Sequence, residues 1–184
     1  MSAEADRLRW NERYAAAPPD FTPHRLVAEA ERAGIPDGAV LDLACGRSGS
    51  ALALAAGGRA VTAVDISDVA LSQLGAEARR RGLAVRLVEA DAPAFAAADE
   101  GSYALVLATR YWDTAAFTSA AGLVAEGGLL AWEALAAAAG EPPRPFRVRP
   151  GELRARLPAG FDVLTDVTDQ QSSRILARRA RVPA

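Results

Sequence analysis

Lysine is absent from this chain, and every basic side chain is arginine. That excludes Schiff-base chemistry on a lysine and the lysine of a phosphate-binding P-loop. There is one cysteine, Cys45, and one histidine, His24. Cys45 has no partner in the chain for a disulfide, and one Cys with one His cannot assemble the usual zinc ligand sets. No metal is expected. Positive charge is not in excess: 21 basic residues stand against 23 acidic ones, for a net charge of −2. A nucleic-acid partner usually requires a basic surface, so none is expected. Apolar runs fall short of the roughly 20 residues that span a bilayer. Glu126 and Glu133 interrupt the most apolar region, and Met1 to Trp10 is charged, with no apolar core of a signal peptide. The expectation is a soluble cytoplasmic protein with no membrane partner.

What is present is a globular composition. The 184 residues are 51% hydrophobic and 24% charged, enough to bury a core without cross-links. About a quarter of the chain is alanine, for which a GC-rich coding bias is a sufficient source. The size prior gives one domain over residues 1–184.

The order of patterns is informative. Ala3 to Ala17 reads as a helix ending at Pro18-Pro19. Thr22 to Gly34 reads as a second, with Pro23 in its first turn and Gly34 as its stop. From there apolar runs alternate with helical ones. Strands are expected at Ala39 to Ala44, Arg59 to Asp65, Ala84 to Glu89, Tyr103 to Thr109 and Leu129 to Ala134. Helices fall between them at Ser48 to Ala56, Asp68 to Arg81 and Thr114 to Ala125, with a loop or short turn from Asp91 to Gly101. This alternation is the signature of a parallel, doubly wound sheet. The tail differs. A Pro- and Arg-rich loop runs from Glu141 to Pro150, and one or two helical turns follow at Gly151 to Leu157. Phe161 to Val167 and Arg174 to Arg179 then suit an antiparallel hairpin at the sheet edge. The fold class is α/β, a Rossmann-like seven-stranded, mostly parallel sheet.

In such a sheet ligands bind at the carboxyl ends of the strands, near the switch point. The first strand leads into Asp42-Leu-Ala-Cys-Gly-Arg-Ser-Gly49, a loop of small residues that lets backbone approach a ligand closely. It lacks the three glycines of a dinucleotide fingerprint. A carboxylate at Asp42 would repel a pyrophosphate but suits a cation. The second strand ends at Asp65, and 65 − 42 places this acid 23 positions on, where an acid binds ribose hydroxyls. The third ends near Asp91, where a carboxylate or carbonyl can accept from an adenine amino group. Together these make a nucleoside site for a ligand without phosphates. Each residue has an alternative role. Asp65 or Ser67 can cap the following helix, Asp91 can cap the turn before Pro93, and Cys45 can be a small buried filler rather than a nucleophile.

Val40-Leu-Asp-Leu-Ala-Cys-Gly46, Val61-Thr-Ala-Val-Asp-Ile-Ser67 and Val88-Glu-Ala-Asp91 resemble the class I S-adenosylmethionine-dependent methyltransferases. Arg110-Tyr-Trp-Asp113, Gly127-Gly-Leu-Leu-Ala-Trp-Glu133 and Arg149-Pro-Gly-Glu-Leu153 are similar to the small bacterial branch related to the tellurite-resistance methyltransferase. Trp10-x-x-Arg13-Tyr14 is similar to the lid helix of that branch and of thiopurine methyltransferases. The family loop is usually Asp-x-Gly-x-Gly-x-Gly; here Ala44 takes the place of the first glycine and Ser48 that of the last, with Gly49 beside it.

The resemblance implies S-adenosyl-L-methionine as cofactor and methyl transfer to a small-molecule acceptor. It also implies lid helices over residues 1–36 and a core over 37–184. The implied cofactor-binding residues are Trp10, Arg13, Tyr14, Asp42, Ala44, Gly46, Ser48, Gly49, Asp65, Ile66, Asp91, Ala92 and Thr109. Arg110, Tyr111 and Glu133 are the substrate-side candidates, and Tyr111, Glu133 or His24 the candidate bases for a hydroxyl or ammonium acceptor. Trp10 and Tyr14, at i and i+4, share a helix face that serves either core packing or the lid. A non-catalytic binder of the same cofactor and a nicotinamide-dependent oxidoreductase are the alternatives. Oligomeric state is not legible.

Overall fold

The computed structural model describes residues 3–137 and 146–181. The early part of the loop expected from Glu141 to Pro150 lies outside these residues. The described chain forms one sheet of eight strands, in the order β3-β2-β1-β4-β5-β8-β7, with β6 paired to β5.

Three strands form its centre: β1 (Val40–Leu43), β2 (Val61–Asp65) and β4 (Tyr103–Ala108) are buried along their whole length. That is why they read as continuous apolar runs. Neighbours β3 (Val85–Glu89) and β5 (Val124–Ala136) extend the parallel sheet on either side. The chain then returns through β6 (Arg147–Val148), and β7 (Phe161–Thr168) and β8 (Ser172–Arg179) close the sheet as an antiparallel hairpin. In this hairpin β8 lies inside, against β5, and β7 forms the edge.

Two apolar layers cover the sheet. On one face Leu41, Val106, Leu130 and Trp132 pack with Phe117 of α6 (Thr114–Gly122) and Ala96 of α5 (Ala92–Ala98). On the other, Val40, Leu105, Leu107 and Leu129 pack with Leu52 of α3 (Gly49–Ala56), Leu74 of α4 (Asp68–Arg80) and Leu26 of α2 (Arg25–Ala33). A short α7 (Glu152–Arg156) joins the tail. Outside both layers lies α1 (Ala3–Ala16), which buries none of its residues.

Four details go beyond the sequence reading or differ from it. First, α2 starts one residue after His24, which is its N-cap; Pro23 disfavours helical backbone in the residue before it. Second, α2 is anchored to the core through its buried Leu26, Val27 and Ala30, unlike α1. Third, Gly127-Gly128 is not a turn ahead of β5 but an irregularity inside it, where the register to β4 shifts between Tyr103 and Leu105. A Cβ on Gly128 would stand 2.8–3.1 Å from the carbonyl oxygens of Ala125, Tyr103 and Ala104, so only glycine lets the strands pass there. Fourth, Asp91 to Gly101 contains a two-turn helix, α5, and the two-residue β6 carries no signal of its own.

Candidate active site

The chain order reverses between β1 and β4, so the crevice at their carboxyl ends is the switch point. Asp42 is 1% exposed there. Ser48 donates from Oγ to Asp42 Oδ2 at 2.5 Å and accepts from the Ala51 amide at 2.9 Å. The serine that stands for a glycine thus caps α3 and steadies Asp42 at once. Burial, with a smaller contribution from Asp65, pushes the Asp42 carboxyl up to about 7, against the lowering effects of Ser48 and His24.

Between these two residues the loop turns sharply. Ala44 has φ +48° and Gly46 φ +55°. Ala44 therefore adopts the left-handed conformation that the missing glycine would favour, at a cost of about 1–2 kcal/mol. The Cys45 amide donates to the Val64 carbonyl at 2.9 Å, and the Gly46 amide to Asp65 Oδ2 at 2.7 Å. Asp65 Oδ1 accepts from the Ser67 amide at 2.8 Å. Asp65 thus holds the loop from below, while burial raises its pKa against the backbone donors at Ser67, Gly46 and Ile66. Capping of α4 falls to Ser67, whose Oγ accepts from the Ala70 amide at 3.1 Å.

The loop glycines have a reason the sequence does not display. A Cβ on Gly49 would stand 2.1 Å from the carbonyl oxygen of Phe21 and 2.6 Å from the carbonyl carbon of Thr22. A Cβ on Gly46 would stand 2.3 Å from the Tyr14 hydroxyl. The N-terminal segment lies directly across the loop. Trp10 and Tyr14 stack with centroids 5.8 Å apart, and Arg13 lies over the Trp10 ring at 5.1 Å. Asn11 accepts from Ser67 Oγ at 2.6 Å and donates to Asp68 at 2.7 Å, which ties α1 to the start of α4. Burial, then the charge of Asp65, raises the Tyr14 pKa.

The third acid stands apart. Ser48, Ser67 and Asp113 each cap a helix through the side chain, whereas Asp91, at the N-cap of α5, makes no such bond. Its carboxylate serves no helix cap. Burial, then the charges of Asp113 and Asp6, raises its pKa against the lowering effect of the Ala92 amide. Ile66 is half-buried beside Asp65, Ala92 is buried beside Asp91, and Thr109 is half-buried at the end of β4.

The substrate-side candidates Tyr111 and Glu133 meet through the backbone, the Tyr111 amide donating to the Glu133 carbonyl at 3.1 Å, but their side chains have separate partners. Arg110 is exposed, with φ +57°. Tyr111 packs against Trp132, centroids 6.1 Å apart. Burial, then the charges of Asp113, Asp91, Asp65 and Asp6, raises its pKa. Glu133 lies on the opposite sheet face and is 5% exposed. It accepts from His24 Nε2 at 3.0 Å and from Ser172 Oγ at 3.3 Å, with Arg25 at 3.8 Å. Burial would raise its pKa, but His24, Arg25 and Ser172 outweigh it and hold it below the ordinary value. His24 Nδ1 in turn accepts from the Leu26 amide at 3.2 Å. Both ring nitrogens are engaged, so His24 and Glu133 form a tie between α2 and the sheet rather than a base facing an acceptor. Cys45 packs against the core, and burial raises its pKa, so it is a filler and not a nucleophile.

The family model for the methyltransferase domain matches residues 40–128. Among solved structures, TehB from Haemophilus influenzae has a TM-score of 0.75 at 19% identity, over 92% of this chain and 67% of that one. Magnesium protoporphyrin IX methyltransferase (ChlM) from Synechocystis PCC 6803, solved with bound SAH, has a TM-score of 0.68 at 19% identity, over 85% and 81%. At such identities these likenesses speak for the fold. No curated protein sequence matches. The matched domain and the sheet order together give this chain the doubly wound fold of a methyltransferase domain. Residues 40–128 carry a methyltransferase domain, and the fold of the chain is similar to that of TehB. Among the described residues no helix is long and apolar enough to cross a membrane.

Proposed function

We propose that the chain methylates a small-molecule acceptor held beside Thr109, Arg110 and Tyr111, under α1 as a lid, and that residues 1–184 act as one domain. The observation that carries this reading is the course of α1 and its connector over the loop, with Tyr14 against Gly46 and Phe21 against Gly49. A roof at that place would bar a polymer and favour a small acceptor. The net charge of −2 adds no attraction to phosphate chains.

The residues present fit the cofactor. Asp91, free of a capping role, suits the adenine amino group, with Ala92 and Ile66 as apolar neighbours. Asp65 accepts from the Gly46, Ser67 and Ile66 amides and would offer its remaining acceptor capacity to a ribose hydroxyl. Asp42, Ala44, Gly46, Ser48 and Gly49 form the wall for the methionine end, and Trp10, Arg13 and Tyr14 the cover. The cofactor supplies a methyl already activated on a sulfonium, which passes to an acceptor lone pair as the carbon–sulfur bond breaks. The protein then has to align the acceptor and exclude water. Since His24 and Glu133 are tied to each other, the site favours acceptors that need no general base, such as thiolates and other soft anions; Tyr111 and Arg110 are the polar groups left to orient one.

Asp42 gives this reading a pH signature. A cation at the loop favours the carboxylate form, and free Asp42 takes up its proton near pH 7. Affinity for S-adenosylmethionine is expected to fall about tenfold per unit as pH drops from 7 to 5. Calorimetry across that range checks it, and Asp42→Asn should flatten the profile. For stability the sign is opposite. A carboxyl raised in the fold leaves the protein most stable below about pH 4, and that contribution is lost as pH climbs to 7.

The acceptor class is tested with radiolabelled methyl on small thiols, phenols and amines beside nucleic acid and protein. Label is expected in a small molecule. Label entering only macromolecules would overturn the proposal.

A further inference from the structure

Arg47 is a charged residue in a loop of small ones, and neither the cofactor nor an acceptor accounts for it. Its side chain turns back to the end of α1. Nη1 lies 2.8 Å from the carbonyl oxygen of Ala17 and 3.4 Å from that of Tyr14. Its guanidinium also covers the Tyr14 ring at 5.0 Å. Carbonyls in the last turn of a helix have no partner within it, and a cation there is favoured by the helix dipole. Gln73 of α4 completes the arrangement, accepting from Arg47 Nη1 at 3.3 Å and donating to the Tyr14 carbonyl at 3.4 Å.

The neighbours of Arg47 in sequence are held by the two buried acids. Gly46 donates to Asp65, and Ser48 donates to Asp42. A ligand that engages either acid therefore acts on the peptide that carries Arg47. We infer that Arg47 is a positioning residue, a latch that holds the last turn of α1 over the loop and couples the loop to the cover. This deepens the proposed role of α1 as a lid and rests on it.

Hydrogen exchange on the ligand-free protein tests the latch without reference to any cofactor. Arg47→Met keeps the stem and removes the charge and the donors. It is expected to speed exchange across residues 3–17 by about tenfold while β1, β4 and β5 keep their protection. Arg47→Lys should recover more than half of the effect. Gln73→Leu should move the same amides in the same direction, by less. S-adenosylhomocysteine, titrated by calorimetry and stopped flow, should leave Arg47→Met about five- to tenfold faster than wild type. Wild-type exchange across residues 3–17 in Arg47→Met, or equal loss of protection in α1 and the sheet, overturns the latch. If Arg47→Met does not fold, unchanged α1 exchange in Gln73→Leu overturns it as well. Failure of the wild type to bind S-adenosylhomocysteine would instead sink the cofactor assignment, and the exchange result would still stand.

Discussion

Gly49→Ala is expected to cost about 3 kcal/mol or more, the upper range for overfilling a packed site. The added Cβ would meet the backbone of Phe21 and Thr22 at 2.1–2.6 Å, and backbone cannot rotate away as a side-chain tip can. The connector is pinned on its far side, since the His24 amide donates to Ser50 Oγ at 3.0 Å. The strain must therefore lift residues 17–24 or displace α3. For a chain of this length the cost corresponds to a fall of about 6–12 °C in Tm. Gly122→Ala is the control: its Cβ would meet nothing within 4 Å, and its φ is not left-handed. Thermal unfolding of both variants decides the matter. A Gly49→Ala midpoint within 2 °C of the control would show that the contact is not tight in solution.

The contrast between these two glycines shows where reading a sequence stops. Gly49 was legible as a small residue in a ligand loop. Its reason is the chain's own backbone, laid over it by a segment some 28 positions earlier (49 − 21). The central strands were legible because burial on both faces leaves an uninterrupted apolar run, and β1, β2 and β4 are such runs. The acids at strand ends were legible by spacing. Pairings between distant residues were not. Glu133 meets His24 across 109 positions, and nothing near either residue announces the other. Glu133 interrupts the apolar run of β5 whether it faces an acceptor or a buried histidine, so only register and sheet face separate the two. Arg47 did carry a signal, a guanidinium amid alanine, glycine and serine, and its partners at the end of α1 supply the meaning. Ala44 shows the reverse case. The chain accepts a left-handed alanine, which propensity alone would reject.

Asp65→Ala is expected to damage the loop and the cofactor site together. In the fold it removes the acceptor of two buried amides, those of Gly46 and Ser67. Each such loss costs about 1–3 kcal/mol, partly offset because a buried carboxylate is no longer carried. A net loss of about 2–4 kcal/mol is expected by denaturant unfolding. Cofactor affinity should fall further, by about 1.5–3 kcal/mol for a paired hydrogen bond to a charged group, or roughly 10- to 150-fold. A displaced loop could weaken binding even if Asp65 never touched the ribose. The two causes separate when the ligand is changed along with the protein. S-adenosylhomocysteine and its 2′-deoxy analogue are titrated against wild type and Asp65→Ala. If Asp65 holds the ribose, the wild type loses affinity for the deoxy compound and the variant binds both alike. If the variant still discriminates between the two ligands by the wild-type factor, the ribose is bound by another group, and Asp65 serves only to brace Gly46 and Ser67.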